Sequence, residues 1–122
     1  VCDVLAYIDD IFFQAKLMET ARQLGVELRS CANPDTFAVE IAKGKPKLIV
    51  VDLNARANSF DAIEIAKTDA PTVPLIGFLS HVQTELAEKA RAAGCEEVMP
   101  RSKFARDLAT ILARVKSEAK EV

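Results

Sequence analysis

Three aspartates stand where short apolar runs end. The pair Asp9–Asp10 closes the run VLAYI, and Asp52 follows directly on LIVV. Carboxylates gathered at one place repel one another and raise one another's pKa values unless a cation holds them. A hard divalent ion with oxygen ligands and retained waters meets that need; Mg2+ suits it best, with Mn2+ as its substitute. Taken singly, each aspartate has a plainer role: Asp10 caps the helix that follows, and Asp52 begins a loop. Two more apolar runs end in polar residues, with Ser80 and His81 after PLIGFL and Arg101 and Ser102 after EEVMP.

Whether these groups meet depends on the elements that carry them. Short apolar runs at 3–8, 26–32, 48–51, 73–79 and 97–99 predict strands. The 48–51 run is uniformly apolar, as in a central strand buried on both faces, whereas 26–32 alternates, as near a sheet edge. Between them lie helical patterns at 10–24, 34–43, 60–70, 81–93 and 103–116. The first shows Phe12, Ala15, Leu17, Met18, Ala21 and Leu24 at helical spacing, and the last turns Phe104, Leu108, Ile111, Leu112 and Val115 inward. One of Phe12 and Phe13 belongs to the core, and the other is free to serve as a docking contact. Asn33 with Pro34 signals the second helix start, Ser59 the third, and Ser80 with Gln83 a capping box for the fourth. Gly25, Gly44 and Gly94 fall where left-handed residues close helices, and Gly77, inside a strand, signals a bulge or a close backbone approach.

Alternation of this kind predicts an α/β fold, a doubly wound, flavodoxin-like five-stranded parallel sheet in the order 2-1-3-4-5 with five helices. Ligands of such sheets bind at the carboxyl ends of the strands, near the switch between strands one and three. Asp9, Asp10 and Asp52 all fall there.

Composition bounds the rest. The 122 residues fit one domain spanning 1–122, with half of them hydrophobic. Sixteen Lys and Arg against eighteen Asp and Glu give a net charge of −2, which speaks against nucleic acid as a direct partner. No apolar run approaches a membrane span, and no basic stretch precedes an apolar one at the N-terminus. Val1 in place of Met predicts a trimmed start. Cys2, Cys31 and Cys95 are odd in number and far apart, which predicts reduced cysteines in a cytoplasmic protein.

The acidic pair after a strand, the segment LIVVD ending in Asp52, PLIGFLS and AAGCEEVMP together resemble the receiver domain of bacterial response regulators, and in size the single-domain chemotaxis type. The resemblance implies phosphoryl transfer from a histidine kinase or phosphotransfer protein to Asp52. It puts Mg2+ on Asp10, Asp52 and the main-chain carbonyl of Asn54, with Asp9 assisting through water. It implies no enzyme beyond self-phosphotransfer and autodephosphorylation, and a signal passed on by contact with a downstream protein, by a monomer or weak homodimer.

Departures from the family accompany the match. Leu79 occupies the place of the switch Thr or Ser, and leucine donates no hydrogen bond. Ser80, one residue late, is a possible displaced switch hydroxyl, expected to face the other way unless a bulge at Gly77 turns it inward. Arg101 followed by Ser102 replaces the usual Lys-Pro; Lys103 is a second cation, more simply a solvated first-turn residue. Arg56 and His81 are further candidates for phosphoryl contacts, each with a plainer solvated role. The alternative function is a pseudo-receiver, an interaction module that keeps the fold and acid pocket without phosphorylation as its switch. A phosphatase with an aspartyl nucleophile is excluded, because Asn54 stands where its second Asp belongs.

Overall fold

The computed structural model describes residues 2–56, 58–80 and 83–119, with side chains as far as residue 116. Five strands, β1 (Val4–Tyr7), β2 (Leu28–Cys31), β3 (Leu48–Asp52), β4 (Leu75–Leu79) and β5 (Glu97–Pro100), form one parallel sheet in the order β2-β1-β3-β4-β5. The helices are α1 (Ile11–Leu24), α2 (Pro34–Lys43), α3 (Ser59–Asp69), α4 (Thr84–Ala93), α5 (Arg101–Arg106) and α6 (Leu108–Ala119).

Alternation along each strand divides the core in two. Leu5, Tyr7, Ile49, Val51, Leu75 and Leu79 pack on one face against Phe37 and Ile41 of α2, Ile63 of α3 and Ala90 of α4. Val4, Ala6, Leu48, Val50, Ile76 and Phe78 pack on the other against Phe13 and Leu17 of α1, Phe104 of α5 and Leu112 of α6. Both faces are covered, so the inner strands read as continuous apolar runs, β1, β3 and β4 being buried at every position. The edge strand β2 is exposed at Arg29 and half-exposed at Ser30.

The expected sheet and order are found, with local corrections. The last helical pattern is two helices rather than one, which makes six among the described residues. The break falls at Asp107, whose carboxylate accepts from Lys103 Nζ at 3.1 Å and Arg106 Nε at 3.5 Å. Leu17 and Ala21 of the α1 stripe are buried as expected, but Phe13 takes the inner place in the first turn, whereas Phe12 is 84% exposed and Ala15 and Met18 face outward. Asn58, not Ser59, caps α3; its Oδ1 accepts from the Phe60 amide, and Ser59 is buried with its hydroxyl donating to the Leu53 carbonyl. The box at Ser80 and Gln83 does not form, because α4 begins at Thr84 with Gln83 in the cap position and no side-chain cap bond. His81 lies outside the described residues.

Gly25 does close α1 in the left-handed region, at φ 71°, whereas Gly44 after α2 is extended. At Gly77 the pairing with β3 and β5 runs without a slip, so there is no bulge. The close approach is real: a Cβ there would meet Cys95 Sγ and Leu53 Cδ1, each at 3.2 Å.

Candidate functional site

The β1 and β3 strands lie side by side, so their carboxyl ends deliver the acidic residues to one cleft. It is lined by Asp9, Asp10, Asp52, Asn54, Ser80 and Arg101, with Ile11, Phe12 and Arg56 at its margin.

Asp10 and Asp52 divide their oxygens in the same way. Asp10 Oδ1 caps α1, accepting from the amides of Phe12 at 3.0 Å and Phe13 at 3.1 Å, while Oδ2 accepts from Arg101 Nη1 at 2.8 Å. Asp52 Oδ1 accepts from the Asn54 amide at 2.9 Å, and Oδ2 from Arg101 Nη2 at 3.2 Å. The capping role and the cleft role of Asp10 are therefore compatible, one oxygen serving each. Asp52 is the last residue of β3 and only 2% exposed.

Arg101 follows β5 directly and opens α5. Its guanidinium spans the two carboxylates and lies over Phe13 at 4.9 Å and Phe78 at 5.6 Å from the ring centres. Phe78 is in turn stacked on Phe104 with centroids 4.7 Å apart. Aromatic faces attract a guanidinium, so the rings fix its height in the cleft. A lysine has neither the flat face nor the fork for this.

These contacts set the acidities. The Arg101 hydrogen bond, followed by the Phe13 amide, holds the Asp10 carboxyl below the usual range. Burial pushes Asp52 above it, against the pull of the Asn54 amide and Arg101, with Asp9 and Asp10 adding to the rise.

Asp9 turns away from this pair. Its Oδ2 accepts from the Arg56 main-chain amide at 2.8 Å, with Arg56 Nε at 3.6 Å. The three carboxylates share the cleft without closing on one point; among the described residues no three acidic, cysteine or histidine side chains group around a metal position. Arg56 is 92% exposed and serves the loop, and Lys103 is engaged with Asp107 rather than with the cleft.

On the β4 side, Leu79 is buried and faces a groove with Ala87, Val98 and Pro100. Ser80 lies in the bend after β4; it is exposed and lines the cleft, with its main-chain amide donating to Asn54 Oδ1.

Sequence reasoning used only the main chain of Asn54. Its side chain also bridges two loops, Oδ1 accepting from the Ser80 amide at 2.6 Å and Nδ2 donating to Gln83 Oε1 at 3.2 Å. The aromatic bed of Phe13 and Phe78 under Arg101 has no mark in the sequence, where Phe13 reads as a core or docking residue and Phe78 only as part of an apolar run. All three cysteines are free and buried, and burial pushes Cys31 to about 12 and Cys95 to about 11. Burial raises the Cys2 thiol too, which disfavours the thiolate at all three. No helix of the described residues is long and apolar enough to cross a membrane.

No family model matches the sequence. The DNA-binding transcriptional regulator NtrC of Bradyrhizobium sp. (strain RP501 Parasponia) is 25% identical over 119 residues, 97% of this chain. The chain spans 25% of the length of that relative. Among solved structures, the receiver domain of NtrX from Brucella abortus superposes with a TM-score of 0.79 at 20% identity, covering 93% of this chain and 97% of the other. The chemotaxis response regulator CheY4 of Vibrio cholerae gives 0.79 at 19% identity, covering 94% and 98%. The chain has the fold of a response-regulator receiver domain.

Proposed function

We propose that this receiver-fold chain accepts a phosphoryl group on Asp52 from a histidine kinase or phosphotransfer protein and passes the signal on by protein contacts. The observation that carries the reading is the placement of Asp52 at the carboxyl end of the central strand, one oxygen on the Asn54 amide and the other on Arg101.

In the proposed step an Asp52 oxygen attacks phosphorus in line. The new O–P bond forms as the N–P bond of the donor phosphohistidine breaks, and the departing imidazole keeps the electron pair and is protonated. Catalysis of such a transfer is chiefly positioning and neutralisation of the phosphoryl oxygens. Arg101 supplies the neutralising fork by turning its donors from the carboxylates to the incoming oxygens. Ser80 lines the same cleft through the loop that Asn54 holds at its main-chain amide. Ile11 and Phe12, exposed at the margin, offer an apolar contact for the donor protein.

Asp10, Asp52 and the main-chain carbonyl of Asn54 are the oxygen donors that would hold a hard cation, with Asp9 assisting through water. Mg2+ bound there would screen the charge between nucleophile and phosphoryl. We take the protein to be cytoplasmic, a monomer or weak homodimer, with 1–122 forming one receiver domain.

Incubation with acetyl phosphate and Mg2+ tests the reading. The expected result is a phosphoryl-mass adduct in intact-mass spectra that disappears in Asp52→Asn; no adduct, or one that survives the substitution, removes it. A pseudo-receiver is the second reading, favoured by the burial of Leu79 at the switch position. It predicts no adduct and partner binding that is indifferent to Asp52→Asn.

A further inference from the structure

Helix α4 is thinly held at its start. It buries one residue, Ala90, in its second half, and Gln83 fills its N-cap position without a side-chain cap bond. The first turn closes on the Gln83 carbonyl, which accepts from the Ala87 amide at 2.9 Å. The Gln83 side chain is engaged elsewhere: Oε1 accepts from Asn54 Nδ2 at 3.2 Å, while Asn54 Oδ1 accepts from the Ser80 amide at 2.6 Å. One carboxamide thus holds the residue after β4 and the residue before α4. A side chain can brace another loop only from a stem that is itself fixed, and the loop after β3 is fastened to its surroundings. The Asn54 amide donates to Asp52 Oδ1 at 2.9 Å and the Ala55 amide to the Asp52 carbonyl at 3.1 Å. The Arg56 amide donates to Asp9 Oδ2 at 2.8 Å, and the Ser59 hydroxyl to the Leu53 carbonyl at 3.3 Å.

We infer that Asn54 is a positioning residue for α4: its side chain clasps Ser80 and Gln83 to the loop after β3 and so keeps the start of the helix in one place. The pairing uses both ends of the carboxamide, the oxygen as acceptor for Ser80 and the nitrogen as donor to Gln83. Glutamine is not among the residues that cap helices well, so the Gln83 side chain serves the clasp at little cost to α4. The inference goes beyond the phosphoacceptor reading and does not depend on it, because the partners of the Asn54 side chain are Ser80 and Gln83, not Asp10, Asp52 or Arg101. Gln83 also lines the apolar groove with Leu79, Ala87 and Val98. The mouth of that groove is therefore carried on the loop that follows Asp52. Asn54 acts as a brace between the acid cleft and the groove, with α4 fixed from outside its own sequence.

Amide hydrogen exchange by NMR, without metal or phosphoryl donor, reads the brace in the parent protein, Asn54→Leu, Asn54→Asp and Gln83→Ala. Asn54→Leu keeps the size of the side chain and removes both bonds. In it the Ser80 amide is expected to exchange about tenfold faster and the Ala87 amide about fivefold faster, while Val50 in the middle of β3 keeps its rate. Gln83→Ala should speed Ala87 by about threefold and leave Ser80 near its parental rate. Combined with Asn54→Leu it should add nothing at Ala87, since the two residues act through one bond. Asn54→Asp should keep both amides near parental rates: one carboxylate oxygen accepts from Ser80 and the other from Gln83 Nε2 once that amide turns over. Unchanged Ala87 exchange in Asn54→Leu, or failure of Asn54→Asp to preserve it, would overturn the brace. Equal acceleration at Val50 would overturn it as well, because the loss would then be one of global stability.

Discussion

Along β1 and β3 the cleft is a network of charges: Asp10 and Asp52 each give one oxygen to a main-chain amide and one to Arg101. Across the cleft, at the end of β4, the corresponding strand residue is Leu79, buried in an apolar groove with Val98 and Ala87. On the proposed reading the acidic side serves group transfer and position 79 on the β4 side carries no hydroxyl to report it, so chemistry and signalling would be separable. Among the described residues, the Asn54 side chain is a polar path between the sides, holding the Ser80 amide and Gln83 at the threshold of α4.

The largest expected effect breaks the charged side from beneath. Phe78 is fully buried, touches Phe13 and Phe104, and supports Arg101. Phe78→Ala should cost about 4 kcal/mol in urea denaturation, in the range for buried aromatic truncations. Loss of the Arg101 seat should accompany it, read as a changed pH dependence of stability. A loss confined to stability, with the same pH profile, would detach the aromatic bed from the ion pairs.

A smaller change addresses the β4 side. Leu79→Thr exchanges buried apolar surface for a hydroxyl with no partner and should cost about 2 kcal/mol. If the separation of the two sides rests on this residue, the variant should transmit a phosphoryl analogue into α4 where the parent does not. Unchanged spectra in both would assign the block to something other than Leu79.

The smallest effect concerns Asp52 alone. Its carboxyl is raised by burial, so the ionised form costs stability above the folded-state pKa, and that cost is relieved as the group protonates on acidification. Asp10 is lowered chiefly by Arg101; its contribution is present above the unfolded-state pKa and is lost as pH falls through the folded value. Asp52→Asn should therefore raise stability at neutral pH by about 1 kcal/mol. It should also abolish the gain on mild acidification, while the later acid loss from Asp10 remains. Destabilisation by Asp52→Asn would mean that the ion pair outweighs burial.

The architecture was legible because its signals are local. LIVV reads as a central strand, Asn33-Pro34 as a helix start, and Asp9, Asp10 and Asp52 as strand-end acids, each from a few adjacent residues. Arg101 was legible as the cation by its place after the last strand. What escaped depends on direction and distance. Which of Phe12 and Phe13 faces inward turns on one step of helix phase, and the first turn buries Phe13 while Leu17 and Ala21 of the stripe are buried as expected. Ser80 lies in the bend beyond β4, where strand alternation no longer sets the direction of a side chain. The Asn54 bridge joins residues 26 and 29 positions apart, and no local pattern marks it. The Asp107 break is a single turn residue inside an unbroken apolar period, which gives no sequence sign of interruption.

The separation of chemistry from signalling is tested most directly by amide NMR of the parent protein with and without beryllofluoride and Mg2+. Shifts are expected at Asp10, Asp52, Asn54 and Arg101, extending through the Asn54 bridge to Ser80 and Gln83, while Thr84–Ala93 and Glu97–Met99 stay in place. Large, concerted shifts through α4 and β5 would contradict the account, because a switch would then be operating without a hydroxyl at residue 79.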